Sequence, residues 1–253
     1  MTTADWLRPA IPRPAARLRL VCFPHAGGSA AAYAPWAPLL PDDIELVAVR
    51  YPGRAERLSE PLALDMADLV TGVAAALHPL TTRPYALFGH SMGAAVAYET
   101  ALALRARGGG DPVRLIVSGR PAPLHHFPEP AGPVTPETVL AELQRFGGTP
   151  TELLNDAEAR EIILRVFSAD LRLLKTYRPT DPPVLPSFPV SAMLGSQDPQ
   201  VSVAEAADWS TTTSGAFDLT VFPGGHFHLV PRAKDVIAVL CDLLAPLPSL
   251  TPS

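Results

Sequence analysis

Six short apolar runs, separated by segments of helical periodicity, constrain the fold more than any other feature of this sequence. They lie at residues 18–23, 44–49, 85–88, 113–117, 190–194 and 217–222. None alternates strictly between apolar and polar residues, so each suits a strand covered on both faces, as in a parallel sheet with helical crossovers. Apolar residues at helical spacing predict helices over 65–77, 92–107 and about 231–244, and Gly108-Gly109-Gly110 stops the second. Strand and helix in alternation predict an α/β class with a mostly parallel central sheet flanked by helices.

The alternation breaks between residues 119 and 189. A Pro-rich loop comes first, then a helix opening at Thr135-Pro136-Glu137 and another near Asn155, with Glu158 three residues on as a capping box. The second helix carries Ile162, Ile163, Val166, Phe167, Leu171 and Leu174 on one stripe. A helical insertion between sheet strands predicts a lid, at about residues 124–177, over the carboxyl ends of the strands where ligands bind in open α/β sheets. With 253 residues, 47% hydrophobic and 18% charged, the expectation is a single globular domain, residues 1–253, embellished by that insertion.

Several classes are excluded at this level. A net charge of -5 without clustered Lys or Arg gives no reason to expect nucleic acid or anionic lipid as a partner. Apolar runs stop short of the ~20 residues a membrane span needs, and residues 1–14 carry no basic segment followed by an apolar stretch, so no secretory signal is expected. Cys22 and Cys241 sit inside apolar runs and read as buried reduced thiols, which agrees with a cytoplasmic monomer. The last residues, 246–253, read as a frayed tail.

The chemistry concentrates at Gly89-His90-Ser91-Met92-Gly93, which follows one strand and opens a helix. This is G-x-S-x-G in the strand, turn, helix context that gives it meaning: the turn is sharp enough to lift the serine above the sheet, and its neighbours then have no room for side chains. The α/β-hydrolase fold is built around such an elbow, and Ser91 is the expected nucleophile. A serine hydroxyl needs a base within hydrogen-bond reach. His226 follows the last strand directly, in Phe222-Pro223-Gly224-Gly225-His226-Phe227, and is preferred to His228 two residues on. The acid should fall between serine and histidine in chain order. Asp198 ends the run 190–194 through Gly195-Ser196-Gln197 and takes that role, accepting from the imidazole Nδ1–H. Asp170, Asp181 and Asp208 fall in helical or Pro-rich stretches and read as solvated charges.

A tetrahedral intermediate needs donors for its oxyanion. Met92, the residue after the nucleophile, should supply one backbone N–H. Ala26, in the Gly-rich turn Phe23-Pro24-His25-Ala26-Gly27-Gly28-Ser29, should supply the second. That turn lacks G-x-G-x-x-G and the Walker lysine, so it does not read as a dinucleotide or phosphate site, and no cofactor or metal is expected.

Taken together, Phe23 to Gly28, Tyr51-Pro52-Gly53-Arg54, the serine elbow, Ser118-Gly119-Arg120 and Pro223-Gly224-Gly225-His226-Phe227 resemble the type II thioesterases, free-standing editing enzymes of polyketide and nonribosomal peptide synthases. The resemblance spans about residues 18–244. It implies an α/β-hydrolase fold with a helical lid, catalytic Ser91, Asp198 and His226, oxyanion donors at Ala26 and Met92, and acyl thioesters on the phosphopantetheine arm of acyl or peptidyl carrier proteins as substrates. His228 departs from the pattern, which has an apolar or aromatic residue there. The residues alone require only an acyl carbonyl with a leaving group, so a general carboxylesterase on the same fold is the alternative.

Overall fold

A computed structural model describes residues 3–126, 134–149, 151–182 and 184–245. Seven strands, β1 (Leu7–Pro9), β2 (Leu18–Phe23), β3 (Ile44–Val49), β4 (Tyr85–His90), β5 (Arg114–Ser118), β6 (Val190–Gly195) and β7 (Phe217–Phe222), form one sheet in the order β1-β3-β2-β4-β5-β6-β7. β1 is antiparallel to β3, and every other pairing is parallel. The six apolar runs of the sequence are thus the six parallel strands. Every residue of β3, β4 and β6 is buried, as two covered faces require, whereas β7 at the outer edge is largely half-buried or exposed.

Alternate residues feed two cores, because side chains on a strand point to opposite faces. Val21, Phe23, Val47, Val49 and Leu87 face α2 (Met66–Leu77) and α3 (Met92–Ala106). Leu20, Cys22, Leu46, Ala48 and Phe88 face the C-terminal helix α7 (Ala233–Leu243) and the 3₁₀ segment Ala30–Leu39, whose Tyr33 and Trp36 pack edge-on against Phe88. Asp65 caps α2 by accepting from the Asp68 N–H, and α3 ends at Ala106 just before Gly108, whose φ of +72° admits the left-handed turn. Cys22 is buried and Cys241 only partly so; both are free thiols.

Two features depart from expectation. The short strand β1, preceded by the single turn α1 (Thr3–Trp6), was not legible: three residues ending in proline carry no periodicity, and proline is tolerated there only because the strand is an edge. The helix near Asn155 is capped one residue later than expected. Asn155 closes α5 (Thr151–Asn155), and the Asp156 side chain accepts from the Ala159 N–H at 2.8 Å to start α6 (Ala157–Thr176). Two adjacent side chains can both cap, and local spacing does not choose between them.

α4 (Pro136–Phe146) opens with the expected proline, and its Thr135 cap exchanges hydrogen bonds with Thr138. α4 and α5 pack chiefly on α6, in a small cluster of Val139, Leu143 and Phe167. No helix among the described residues is long and apolar enough to cross a membrane. The tail expected at 246–253 and part of the Pro-rich loop lie outside the described residues.

Candidate active site

The parallel strands point their carboxyl ends to one side, and four loops there bring together the residues singled out in the sequence. β4 runs straight into the elbow. Ser91 takes φ 55° and ψ −118°, a conformation costly for a residue with a side chain and one that concentrates at functional sites. It is held there by its own N–H, which donates to the Ser118 carbonyl of β5 at 2.7 Å.

The flanking glycines are steric necessities. A Cβ on Gly89 would lie 2.1 Å from the Gly93 carbonyl oxygen, and one on Gly93 would lie 2.1 Å from the Phe23 carbonyl oxygen. The elbow therefore closes on itself and against the end of β2. Met92, wholly buried, is the first residue of α3, so its N–H is among those a helix start leaves without an intrahelical partner.

His226 follows β7 and Asp198 follows β6, as expected from the sequence. The Asp198 carboxylate is fully enclosed and accepts from His226 Nδ1 at 2.8 Å through Oδ2, while Oδ1 accepts from the Gln200 N–H at 2.9 Å. With Nδ1 committed to Asp198, Nε2 is the nitrogen left for a proton-transfer partner. Gly195 lets the two loops meet, since a Cβ there would sit 2.2 Å from the Gly225 carbonyl oxygen.

Ser91 and His226 line one cavity of about 680 Å³ together with Ala26. The inserted helices contribute the apolar residues Leu143 of α4 and Ile163, Phe167, Leu171 and Leu174 of α6, together with Arg145 and Lys175.

His228 is not part of this cavity. It lies in a turn, not a helix, and its buried ring stacks on Phe222 at 5.3 Å with no hydrogen-bond partner among the described residues. Burial pushes its pKa down, so a neutral imidazole serves as the flat filler that an aromatic residue supplies elsewhere. His25 and His90 complete a cluster around His226, with the His90 ring 4.8 Å from that of His226. Burial, followed by the proximity of His226, holds His90 well below the ordinary histidine range and brings His25 down to about 4. His90 Nδ1 is 3.1 Å from the Ser118 hydroxyl. Of these four rings, His226 is the one hydrogen-bonded to a carboxylate among the described residues.

The sequence reading of Asp170 needs correction. It is 2% exposed and sits on the inner face of α6, where Arg54 grips it with both guanidinium nitrogens at 2.6 and 2.8 Å. A helical position said nothing of this, because the partner lies 116 residues away on another loop. Asp208 pairs with His125 at 2.6 Å and Asp181 is exposed, in keeping with surface roles. Arg120, from the Ser118-Gly119-Arg120 motif, also lines the cavity, approaches His126 Nδ1 at 3.2 Å and lies over the Tyr177 ring; the motif could be read, but its position could not.

A family model described as a thioesterase domain matches residues 18–243. The chain belongs to the thioesterase family. It is 39% identical over 246 residues to a probable cadicidin biosynthesis thioesterase of Streptomyces griseus, a match spanning 97% of this chain and 67% of that relative. Identity to thioesterase PikA5 of Streptomyces venezuelae is 38% over 240 residues, covering 94% of this chain and 85% of the other. Among solved structures, the type II thioesterase BorB from the borrelidin biosynthetic cluster aligns with a TM-score of 0.85 at 36% identity, over 95% of this chain and 98% of that one. The fold is accordingly the α/β-hydrolase fold, and the enzyme is a hydrolase of thioesters.

Proposed function

We propose that this thioesterase removes stalled or wrongly loaded acyl groups from the phosphopantetheine arm of acyl or peptidyl carrier proteins in polyketide or nonribosomal peptide synthesis. The observation that carries the reading is the cavity itself, which Ser91 and His226 line together with a group of apolar residues from α4 and α6. That shape suits an alkyl or ketide chain attached to a reactive carbonyl. The names of the relatives, a probable cadicidin biosynthesis thioesterase and a type II thioesterase from the borrelidin biosynthetic cluster among them, support the same substrate class.

In this reading Ser91 Oγ attacks the thioester carbonyl carbon while His226 Nε2 takes its proton, and Asp198 stabilises the imidazolium through Nδ1–H. The carbonyl π electrons move to oxygen, which the Ala26 and Met92 N–H groups hold. Collapse of the tetrahedral intermediate breaks the C–S bond, and the thiolate leaves with the proton from His226. Water, deprotonated by the same imidazole, then attacks the acyl-serine to release a carboxylic acid and restore Ser91.

The inserted helices cover the bound chain, with α4 and α5 as the parts that open. Arg160, Arg165, Arg172 and Arg178 are exposed along or just after α6, where they complement the acidic surface of a carrier protein. Action on such partners goes with a monomeric, cytoplasmic enzyme.

One comparison tests the substrate class: a single butyryl group offered on a carrier protein, on free pantetheine and as a simple oxygen ester. Fastest cleavage on the carrier is expected. Faster cleavage of the oxygen ester than of both thioesters would instead favour a general carboxylesterase, and equal rates for carrier and pantetheine would remove the claim of carrier recognition.

A further inference from the structure

The loop that carries Ala26 does not stand alone. Its next residue, Gly27, has φ +75° and donates its N–H to Asp170 Oδ2 at 2.7 Å. The same carboxylate takes two hydrogen bonds from Arg54, which also reaches the Gly28 carbonyl at 3.4 Å. Phe167, one turn before Asp170 on α6, closes on the loop from the same side, for a Cβ on Gly27 would lie 2.9 Å from its ring. α6 is fixed to the body further along as well: Arg165 donates to the Gly53 carbonyl at 3.1 Å, and Tyr177 and Thr180, just past its end, hydrogen-bond to the buried Glu99.

We infer that Asp170, oriented by Arg54, is a positioning residue that fixes the Gly27 peptide and through it the oxyanion donor at Ala26. The inference rests on reading Ala26 as that donor. Both oxygens of the carboxylate accept hydrogen bonds, Oδ2 from Gly27 and Arg54 and Oδ1 from Arg54, inside a site that is 2–5% exposed, so the peptide is held by an acceptor fixed away from water. The Tyr51-Pro52-Gly53-Arg54 segment then has a task in the reaction although none of its residues lines the cavity. A second consequence concerns the insertion. α6 cannot swing away without breaking a buried ion pair and releasing the oxyanion loop, so opening belongs to α4 and α5, while α6 is a fixed wall of the site.

Breaking one half of a buried ion pair destabilises a protein, whereas replacing both halves with apolar residues of similar volume is often neutral. This separates positioning from stability. Asp170→Asn and the double variant Arg54→Met/Asp170→Leu are compared with wild type and with Glu45→Gln, which disturbs a buried carboxylate at the opposite end of the sheet. The readouts are the thermal midpoint, kcat and KM for butyryl-pantetheine, and the rate at which a fluorophosphonate modifies Ser91. A donor displaced by about 1 Å costs on the order of 10²-fold in rate. The double variant should therefore melt near wild type yet lose about 10²-fold in kcat and in labelling rate with KM little changed, and Asp170→Asn should lose about tenfold or more in both rates. Glu45→Gln should lower only the melting temperature. Wild-type labelling rates in both Asp170 variants would overturn the inference alone. A wild-type enzyme in which Ser91 is not labelled at all would overturn the reading beneath it as well.

Discussion

Gly93→Ala adds one methyl group where the structure leaves no space for it. The new carbon would lie 2.1 Å from the Phe23 carbonyl oxygen and 2.7 Å from that of Pro24, while ordinary contact begins near 3.4 Å. Both neighbours are backbone, so no side chain can rotate out of the way. Either the start of α3 rises from β2 by roughly 1 Å, or the peptide after Phe23 moves by as much, and overpacking of this kind costs about 1–3 kcal/mol. The gain in helix propensity from Gly to Ala, up to about 1 kcal/mol, offsets part of it. The kinetic effect should exceed the stability effect, because in the proposed mechanism the displaced parts are the two that meet at the carbonyl: Ser91 with Met92 on one side, and the loop to Ala26 on the other. A misplacement of about 1 Å lowers turnover on the order of 10²-fold. Urea unfolding and steady-state hydrolysis of butyryl-pantetheine measure both quantities, with Gly110→Ala as control, since a Cβ there meets only the Thr81 carbonyl at 3.9 Å. Wild-type turnover and stability in Gly93→Ala would refute the account of how the elbow is built.

Asp198→Asn should lower kcat by up to ~10⁴-fold with KM nearly unchanged, because the amide favours the wrong imidazole tautomer; an unaltered kcat would place the acid elsewhere. Stability should also fall as the pH drops from 7.5 to 5. His25, His90 and His228 have pKa values lowered by burial, so below their unfolded value of ~6.5 the unfolded chain binds protons that the folded one refuses. Each imidazole that stays neutral contributes up to about 1.4 kcal/mol per pH unit, lost as the pH falls; a flat urea-unfolding stability across this range would contradict the burial of these rings. Hydrogen exchange should show weak protection in α4 and α5 and strong protection in α6. Equal protection across all three would remove the division of the insertion into moving and fixed parts.

The parallel strands could be read directly, since a run buried on both faces of a sheet must be largely apolar, and residues 18–23 and 44–49 match β2 and β3 end to end; the edge strand β7 also matches 217–222, although it is covered less. The places of Ser91, His226 and Asp198 were legible for a related reason: each sits within a few residues of a strand's carboxyl end, so reading the strands located them. The positions of Ala26 and Met92, in the loops after β2 and β4, could be read from the same strands. The Arg54–Asp170 pair could not be found this way. Its halves lie on a loop and a helix whose approach depends on how the insertion folds back, and an acidic residue amid a helix has the same local pattern whether it faces solvent or a guanidinium. The sequence rightly preferred His226 to His228, but the setting of His228 was not legible: the Phe222 ring on which it stacks is six residues back across a turn. Short range was also insufficient at α6, where only the finished helix decides between Asn155 and Asp156 as cap.

The central claim is that Ser91 takes the acyl group from a carrier-borne thioester, and the release of butyrate from a butyryl-carrier protein by wild type and by Ser91→Ala tests it most directly. Substitution of a serine nucleophile alone removes nearly all that its triad contributes, so release should fall by about 10⁴-fold or more, while the variant keeps its fold and still binds the butyryl-carrier. Release by Ser91→Ala within tenfold of wild type would contradict the account.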